Sequence, residues 1–313
     1  MGNPIQWRVK LFSAVLIVGA LVARPGLAQE LEPRAYRTLP VGLNAFVLAG
    51  IYSNGNVVAD ATSPIQDLEL TSTTAVLAYL RSFGLFGRSA SLTVQVPYLH
   101  MSGSGFLNGE FLTGSRSGAS NLRLRLAANV IGGPALTPAE FAKYRQRRNL
   151  GVGLSVRTPT GQYDSSRLVS FGSNRWSFKP EIGYSSIKGR WILELAAGVW
   201  LFTSNDDFFG GTTQDQDPIG SFQGHISYNF KNRMWVALNA NYYTGGQTTV
   251  NGTEKFDLQR NSRIGFTFSL PLARRHSLKM AAHTGAFTQI GADFDVVTLA
   301  YQYLWGGVSP KRD

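Results

Sequence analysis

Apolar and polar side chains alternate with a period of two over much of this chain. Between Asn174 and Thr203, Trp176, Phe178, Pro180, Ile182 and Tyr184 fall on one face of an extended segment, and Arg175, Ser177, Lys179, Glu181 and Gly183 on the other. In the segment that follows, Trp191, Leu193, Leu195, Ala197 and Val199 share a face opposite Ile192, Glu194, Ala196 and Gly198. Lys188-Gly189 between them predicts a two-residue hairpin turn. That turn would pair Ile187 with Arg190, Ile182 with Leu195 and Glu181 with Ala196, bringing the apolar faces together. Strands of about ten residues or more are long enough to cross a bilayer when tilted. Trp and Tyr toward the ends of the apolar face are the aromatic girdle of such strands.

The same pattern recurs from residue 43 to residue 305. Strands are predicted at about 43–53, 68–81, 88–100, 121–130 and 150–159, then the hairpin above, then at about 219–230, 234–244, 263–271, 277–288 and 295–305. The cleanest puts Leu122, Leu124, Leu126, Ala128 and Val130 on one face, against Asn121, Arg123, Arg125 and Asn129. The predicted fold is therefore all-β, a transmembrane antiparallel up-and-down β-barrel of twelve strands. Connections alternate between long and short, which places the short turns and both termini on the periplasmic side and the long loops outside. The connector 131–149 is the exception. Thr137-Pro138-Ala139-Glu140 reads as a capping box with Pro at the first helical position, predicting one short periplasmic helix at 138–147. The Gly/Ser-rich stretch 101–118 and the Asp-rich stretch 204–218 are expected to be loops.

Composition adds the compartment. There is no Cys among the 313 residues, so no disulfide framework and no thiol chemistry. Residues 1–28 read as a signal peptide, with Arg8 and Lys10 before an apolar core at 11–22 and Gly26-Leu27-Ala28 at the cleavage site. That core is too short to span a membrane as a helix. A periplasmic lead-in at 29–42, the barrel at 43–305 and a tail at 306–313 complete the expected organisation, and the expected location is the bacterial outer membrane. The tail departs from barrel practice, since such chains usually end on an aromatic residue and Trp305 is followed here by GGVSPKRD. The net charge of +11 becomes +8 without Arg8, Lys10 and Arg24. In sequence the basic residues are spread singly along strands and turns, which argues against a nucleic-acid partner. The expected partners are outer-membrane lipid and lipopolysaccharide, the barrel assembly machinery, and small solutes.

Several stretches carry a resemblance: SRSGASNLRLRLAANVIGGPAL, SNRWSFKPEIGYS, AGVWLFTSNDDFFGG, NYYTGGQTTVNG and NSRIGFTFSLPLARRHSLK. Together they resemble the bacterial outer-membrane family named for a MetA pathway of phenol degradation, over about residues 33–305. The resemblance implies a transmembrane β-barrel, often called a transporter and sometimes linked to degradation of aromatic compounds. It supplies no site residues.

Candidate chemistry comes from the inward phase. Arg123, Arg125, Arg157, Lys179, Arg263 and Lys279 share it with Glu69, Glu181, Glu194 and His225. These side chains are candidates to line a solute path. The competing reading is a structural network of ion pairs that fills a narrow barrel, and Lys179, Glu181 and Glu194 lie near one another in the predicted register. Trp176, Tyr184, Trp191, Tyr242, Tyr303 and Trp305 are the candidate girdle. His225 and Ser227 share a face, but positions two apart on a strand are separated by about 7 Å, at the limit for a base and its nucleophile. Asp206, Asp207, Asp215 and Asp217 show no calcium-loop pattern. No catalytic residue, metal or cofactor is expected. The expected function is a channel or transporter for small solutes, with aromatic compounds in view. The alternatives are a structural or surface-interaction barrel with a filled lumen and, behind it, an outer-membrane hydrolase. Mass spectrometry of the protein recovered from the membrane fraction should find Gln29 as its first residue; an intact Met1 form there would overturn the signal-peptide reading.

Overall fold

The computed structural model describes residues 32–58, 65–107, 109–167 and 170–307; the expected signal peptide and residues 308–313 of the tail lie outside them. In chain order the strands are β1 (Asn44–Val58), β2 (Ile65–Leu85), β3 (Arg88–Leu107), β4 (Glu110–Ala119), β5 (Arg123–Ile131) and β6 (Arg148–Arg157). Next come β7 (Ser177–Lys188), β8 (Trp191–Phe202), β9 (Asn205–Phe208), β10 (Thr212–Gln216), β11 (Ile219–Asn229) and β12 (Trp235–Gly245). The last are β13 (Thr248–Val250), β14 (Thr253–Glu254), β15 (Gln259–Pro271), β16 (His276–Thr288) and β17 (Gly291–Trp305). One helix, α1 (Pro138–Lys143), lies between β5 and β6.

Twelve of these strands form a closed antiparallel wall. β1 pairs with β17 on one side and β2 on the other, β2 pairs with β3, and the ladder returns through β5, β6, β7, β8, β11, β12, β15 and β16. The wall alternates cleanly. Leu48, Ile226, Leu238 and Ile264 stand exposed on the outside, while Ser227, Asn239 and Thr267 are buried on the inside. An exposed apolar band over a closed ladder is the form a β-protein takes in lipid, where every backbone group must find its partner within the sheet. No described helix is long and apolar enough to cross a membrane.

Several expectations shift in detail. The turn between β7 and β8 is Gly189-Arg190, so Tyr184 faces Leu195 and Ile182 faces Ala197. Gly189 has φ of 60° at the first of the two turn positions, where the favoured hairpin turns place a positive φ. The shift from the predicted register is two residues, which leaves every side chain on its face; alternation alone does not separate the two registers. The β2–β3 turn is Phe86-Gly87, both with positive φ. β2 and β3 run farther than predicted, and the Gly/Ser-rich stretch expected as a loop forms the upper part of β3 and all of β4, a hairpin in which Leu99 faces Gly118 and Leu107 faces Glu110. Lacking lipid contact, this hairpin needs no apolar period. The Asp-rich stretch likewise folds into β9 and β10, which pair with β13 and β14 in a second small sheet. α1 has the predicted capping box but ends at Lys143, because Tyr144 is already extended. Hydrogen bonds from the Thr137 backbone N–H and hydroxyl hold the exposed Glu140 carboxyl below the usual range.

The β2–β3, β7–β8, β11–β12 and β15–β16 turns and the α1 connector share one end of the barrel; the small sheet, the longer connections and the two-residue β16–β17 turn share the other. Epitope tags inserted at Gly211 and Thr249 should be reached by antibody on intact cells, and tags at Lys188 and Asn232 only after permeabilisation. Equal labelling of the two sets would reject this orientation.

Candidate functional site: the barrel lumen

Residues 32–42, expected as a periplasmic lead-in, run into the barrel. The ring of Tyr36 is buried against the wall over three glycines. Gly151 and Gly183 are cross-strand neighbours on β6 and β7, and a Cβ on either would collide with the Tyr36 ring; one on Gly153 would come within 3.2 Å of its hydroxyl oxygen. The glycines thus form a flat seat that only a ring lying on bare backbone can use. The Tyr36 hydroxyl donates to Glu181 Oε1 at 2.5 Å, and Asn149 Nδ2 donates to the Tyr36 carbonyl and to Thr38 Oγ1. Nearby, the Arg34 backbone N–H donates to Glu194 Oε2 at 2.5 Å, its guanidinium donates to Asn229 Oδ1 at 2.7 Å, and that guanidinium stacks 3.9 Å above the Trp235 ring. Lys279 meets Glu32 at 3.4 Å.

Only part of the predicted set comes together. Lys179, Glu181 and Arg125 come together as an ion cluster, with Lys179 Nζ 2.8 Å and Arg125 Nη2 3.3 Å from the Glu181 carboxylate. Such a buried set is sensitive to losing one member, because a charge left behind is costly. Glu194 does not join it. The two-residue register shift sets Glu194 opposite Ser185, four positions along β7 from Glu181, where it serves Arg34 instead. His225 lies on the same inner face, its Nδ1 2.9 Å from Asn239 Oδ1, and Asn239 donates on to Thr267, a polar row across β11, β12 and β15. His225 and Ser227 are both buried inside, away from the lipid-facing position that an outer-membrane lipase arrangement needs. Arg263 is buried and donates to the Ala292 carbonyl at 2.7 Å. Glu69 is exposed, not inward, because it shares the outward phase of β2 with the exposed Leu77 and Tyr79; the irregularity between Gln66 and Glu69 lies before it. No group of acidic or His side chains among the described residues could hold a metal.

Arg123 and Arg157 face each other directly across β5 and β6. Arg157 lies 3.9 Å above the Trp200 ring, Lys179 Nζ lies 5.4 Å from the same ring, and Arg175 lies 4.8 Å above Phe202. Cations stacked on ring faces are stabilised most where water is excluded, and Trp200 is 2 % exposed. Its Nε1 is buried with no hydrogen-bond partner among the described residues. The wall formed by β17, β1 and β2 is different in kind. There Ala49, Val76 and Ala300 pack with Val47 and Ile51, and Val57, Phe294 and Val296 with Leu70. One sector of the interior is therefore apolar and another basic and aromatic.

At the long-loop end, Arg175 donates to Gln216 Oε1 at 2.5 Å and Gln216 donates to the Gly246 carbonyl, tying β10 to the β12–β13 connection. The β6–β7 loop packs Phe171 onto Leu99 and Met101. It also reaches the small sheet, where Asn205 donates to the Tyr163 hydroxyl at 2.9 Å. On the outside, Trp191 meets Tyr228 edge-on at 4.9 Å, and Tyr303 stacks on Trp305 at 5.5 Å at the same short-turn end, with the half-buried Tyr184 nearby on β7. Trp176 stacks on Phe178 at 6.1 Å toward the other end, where Tyr242 is also exposed.

Sequence reading missed Tyr36, Arg34, Trp200 and Trp235. The signal for Tyr36 was the inward run of Gly151, Gly153 and Gly183, side chains missing where a lumen wall should carry them; Trp200 and Trp235 were legible only as members of the inward phase of β8 and β12. Gly183→Ala should push Tyr36 off its seat and cost about 1–3 kcal/mol, the usual range for overpacking, read as a lowered urea midpoint with faster amide exchange at residues 34–38. In a Tyr36→Ala background the same substitution should cost far less; equal costs in both backgrounds would show that the two residues do not interact.

The sequence matches the family described as "Putative MetA-pathway of phenol degradation" over residues 52–286. No curated protein sequence matches it. Among solved structures, the COG4313 outer membrane channel from Pseudomonas putida F1 superposes with a TM-score of 0.76 at 22% identity, covering 88% of this chain and 100% of that one. The KdgM porin gives 0.43 at 8% identity over 82% and 98% of the two chains, and the beta domain of the Bordetella autotransporter BrkA 0.49 at 12% over 83% and 99%. At those scores neither bears on this chain. The first superposition shows the fold, that of an outer-membrane β-barrel, and the family match covers well over half of the sequence: the chain belongs to the "Putative MetA-pathway of phenol degradation" family.

Proposed function

We propose that the protein is an outer-membrane channel that passes small solutes and favours aromatic acids. The observation that carries this reading is the basic sector of the inner wall, where Arg157 stacks 3.9 Å above the buried Trp200 ring, Lys179 Nζ lies 5.4 Å from it and Arg123 faces Arg157 across the strands. A benzoate-like anion is flat and carries one carboxylate. Arg offers bidentate pairing to the carboxylate and stacking to the ring, and Trp200, itself buried against Ile219 and Tyr243, backs the Arg157 guanidinium. The Val47–Ala49–Ile51 sector suits the solute's apolar edge. Within a low-dielectric wall, the basic positions at Arg123, Arg157 and Arg175 favour anions over cations. Arg125 has another part, holding Glu181 and stacking 5.1 Å from the Tyr36 ring. The family's link to phenol degradation supports the aromatic solute, and the likeness to an outer membrane channel from P. putida supports passage. A filled structural barrel is the second reading, favoured by the hold of residues 32–38 on the inner wall.

Purified protein in planar bilayers should conduct with an anion bias, and Arg123→Ala with Arg157→Ala should reduce that bias. Trp200→Leu should lower benzoate flux relative to chloride about two- to fivefold, the worth of a cation–π contact of about 0.5–1 kcal/mol. A wild type without conductance or uptake, with and without residues 32–38, would leave the filled barrel as the function.

A further inference from the structure

The two ends of the barrel carry opposite charge. At the long-loop end, Asp206, Asp207, Asp215, Asp217, Asp293 and Asp295 are exposed. At the short-turn end the exposed charges are basic: Lys188 and Arg190 on the β7–β8 turn, Lys231 and Arg233 on the β11–β12 turn, Arg274 and Arg275 on the β15–β16 turn. Arg88 continues the series at the β2–β3 turn, and Arg145, Arg147 and Arg148 do so after α1. On these turns and the α1 connector the acidic residue, among the described residues, is Glu140, and its carboxylate is engaged by Thr137. Residues that stand in small groups far apart in sequence are thus gathered by the topology into one rim.

Apolar tips are interleaved with these charges. Phe86 is 96 % exposed at the turn beside Arg88, and Leu272 is 55 % exposed just before Arg274. Immediately above the rim lie Trp191, Tyr228, Phe230, Tyr303 and Trp305, in ring contact with one another in two groups. A surface for a soluble polyanion has no use for bare aromatic and aliphatic tips. A surface at the headgroup level of a bilayer needs both, with apolar tips reaching the acyl boundary and Lys and Arg reaching phosphate.

We propose that the short-turn rim binds the phosphates of anionic phospholipids in the adjoining leaflet. The rim fixes the height of the barrel in the membrane, with phosphatidylglycerol-like headgroups bridging neighbouring turns. This proposal rests on the barrel fold and not on the solute carried.

Native mass spectrometry of the detergent-solubilised protein, titrated with phosphatidylglycerol or phosphatidylcholine, tests it. Phosphatidylglycerol should bind at least about tenfold more tightly, since each basic side chain near an anionic lipid surface is worth roughly fivefold. Lys231→Gln with Arg233→Gln should remove most of that preference. Arg167→Gln with Arg260→Gln, the same charge loss at the long-loop end, should leave it intact. On wild type, raising salt to 0.5 M should erode the preference, as screening of exposed charges requires; this arm needs no variant to fold. Equal binding of the two lipids, equal loss in both variants, or tighter binding of soluble polyphosphate than of phosphatidylglycerol would overturn the proposal.

Discussion

Closure of the backbone hydrogen-bond ladder is the constraint from which the rest follows. In hydrocarbon an unpaired N–H or C=O has no water to turn to, so the wall must return on itself. It does so where β2 pairs with β3 along nearly the whole of both strands and with β1 on its other edge. Closure fixes one face of every strand toward lipid and the other toward the lumen. The outward face is then bound to apolar residues through the membrane, as Leu238 and Ile264 illustrate. Above the membrane the obligation lapses, and β3 and β4 continue as a Gly/Ser-rich hairpin with no apolar period.

Freed from lipid, the inner face is where this barrel departs from a generic one. Its sectors are specialised: aliphatic along β17, β1 and β2, basic and aromatic from β5 to β8. The N-terminal segment exploits a gap in the second sector. Three missing side chains, at Gly151, Gly153 and Gly183, make room for one ring, and Glu181 receives that ring's hydroxyl together with Lys179 and Arg125. Packing and charge are coupled here. The carboxylate that anchors Tyr36 also neutralises two cations of the basic sector, so the seat of the segment and the charge balance of the inner wall share one residue.

Charge is sorted along the barrel axis as well as around it. The acidic loop end, the mixed lumen and the basic turn end follow one another, though outside the basic run at 143–148 the charges stand in ones and twos along the sequence. Short turns at one end and long connections at the other are enough to do this, because each turn contributes one or two residues to a shared rim. The net positive charge is thus concentrated at the lumen and the turn rim, and the dispersed look of the sequence was a product of the up-and-down topology.

The period-two pattern determined the all-β class, the twelve wall strands and, for most of them but not β2, which face meets lipid, because lipid penalises exceptions on that face. The capping box at Thr137 determined the start of α1, since its partners are three residues apart and need nothing else. What lies beyond that was decided in three dimensions. The β7–β8 register needed the positive φ at Gly189, because a shift of two residues leaves the alternation unchanged. The extended upper strands and the small loop sheet were decided by pairing alone, with no lipid to impose a pattern. The seating of Tyr36 against Gly151 and Gly183 joins residues more than a hundred positions apart on elements with unrelated local preferences, and Trp200 acquires its cations from β6 and β7 in the same way. Local sequence carries the constraint that lipid applies to every strand in turn; the lumen is filled by contacts that exist only once the ladder has closed.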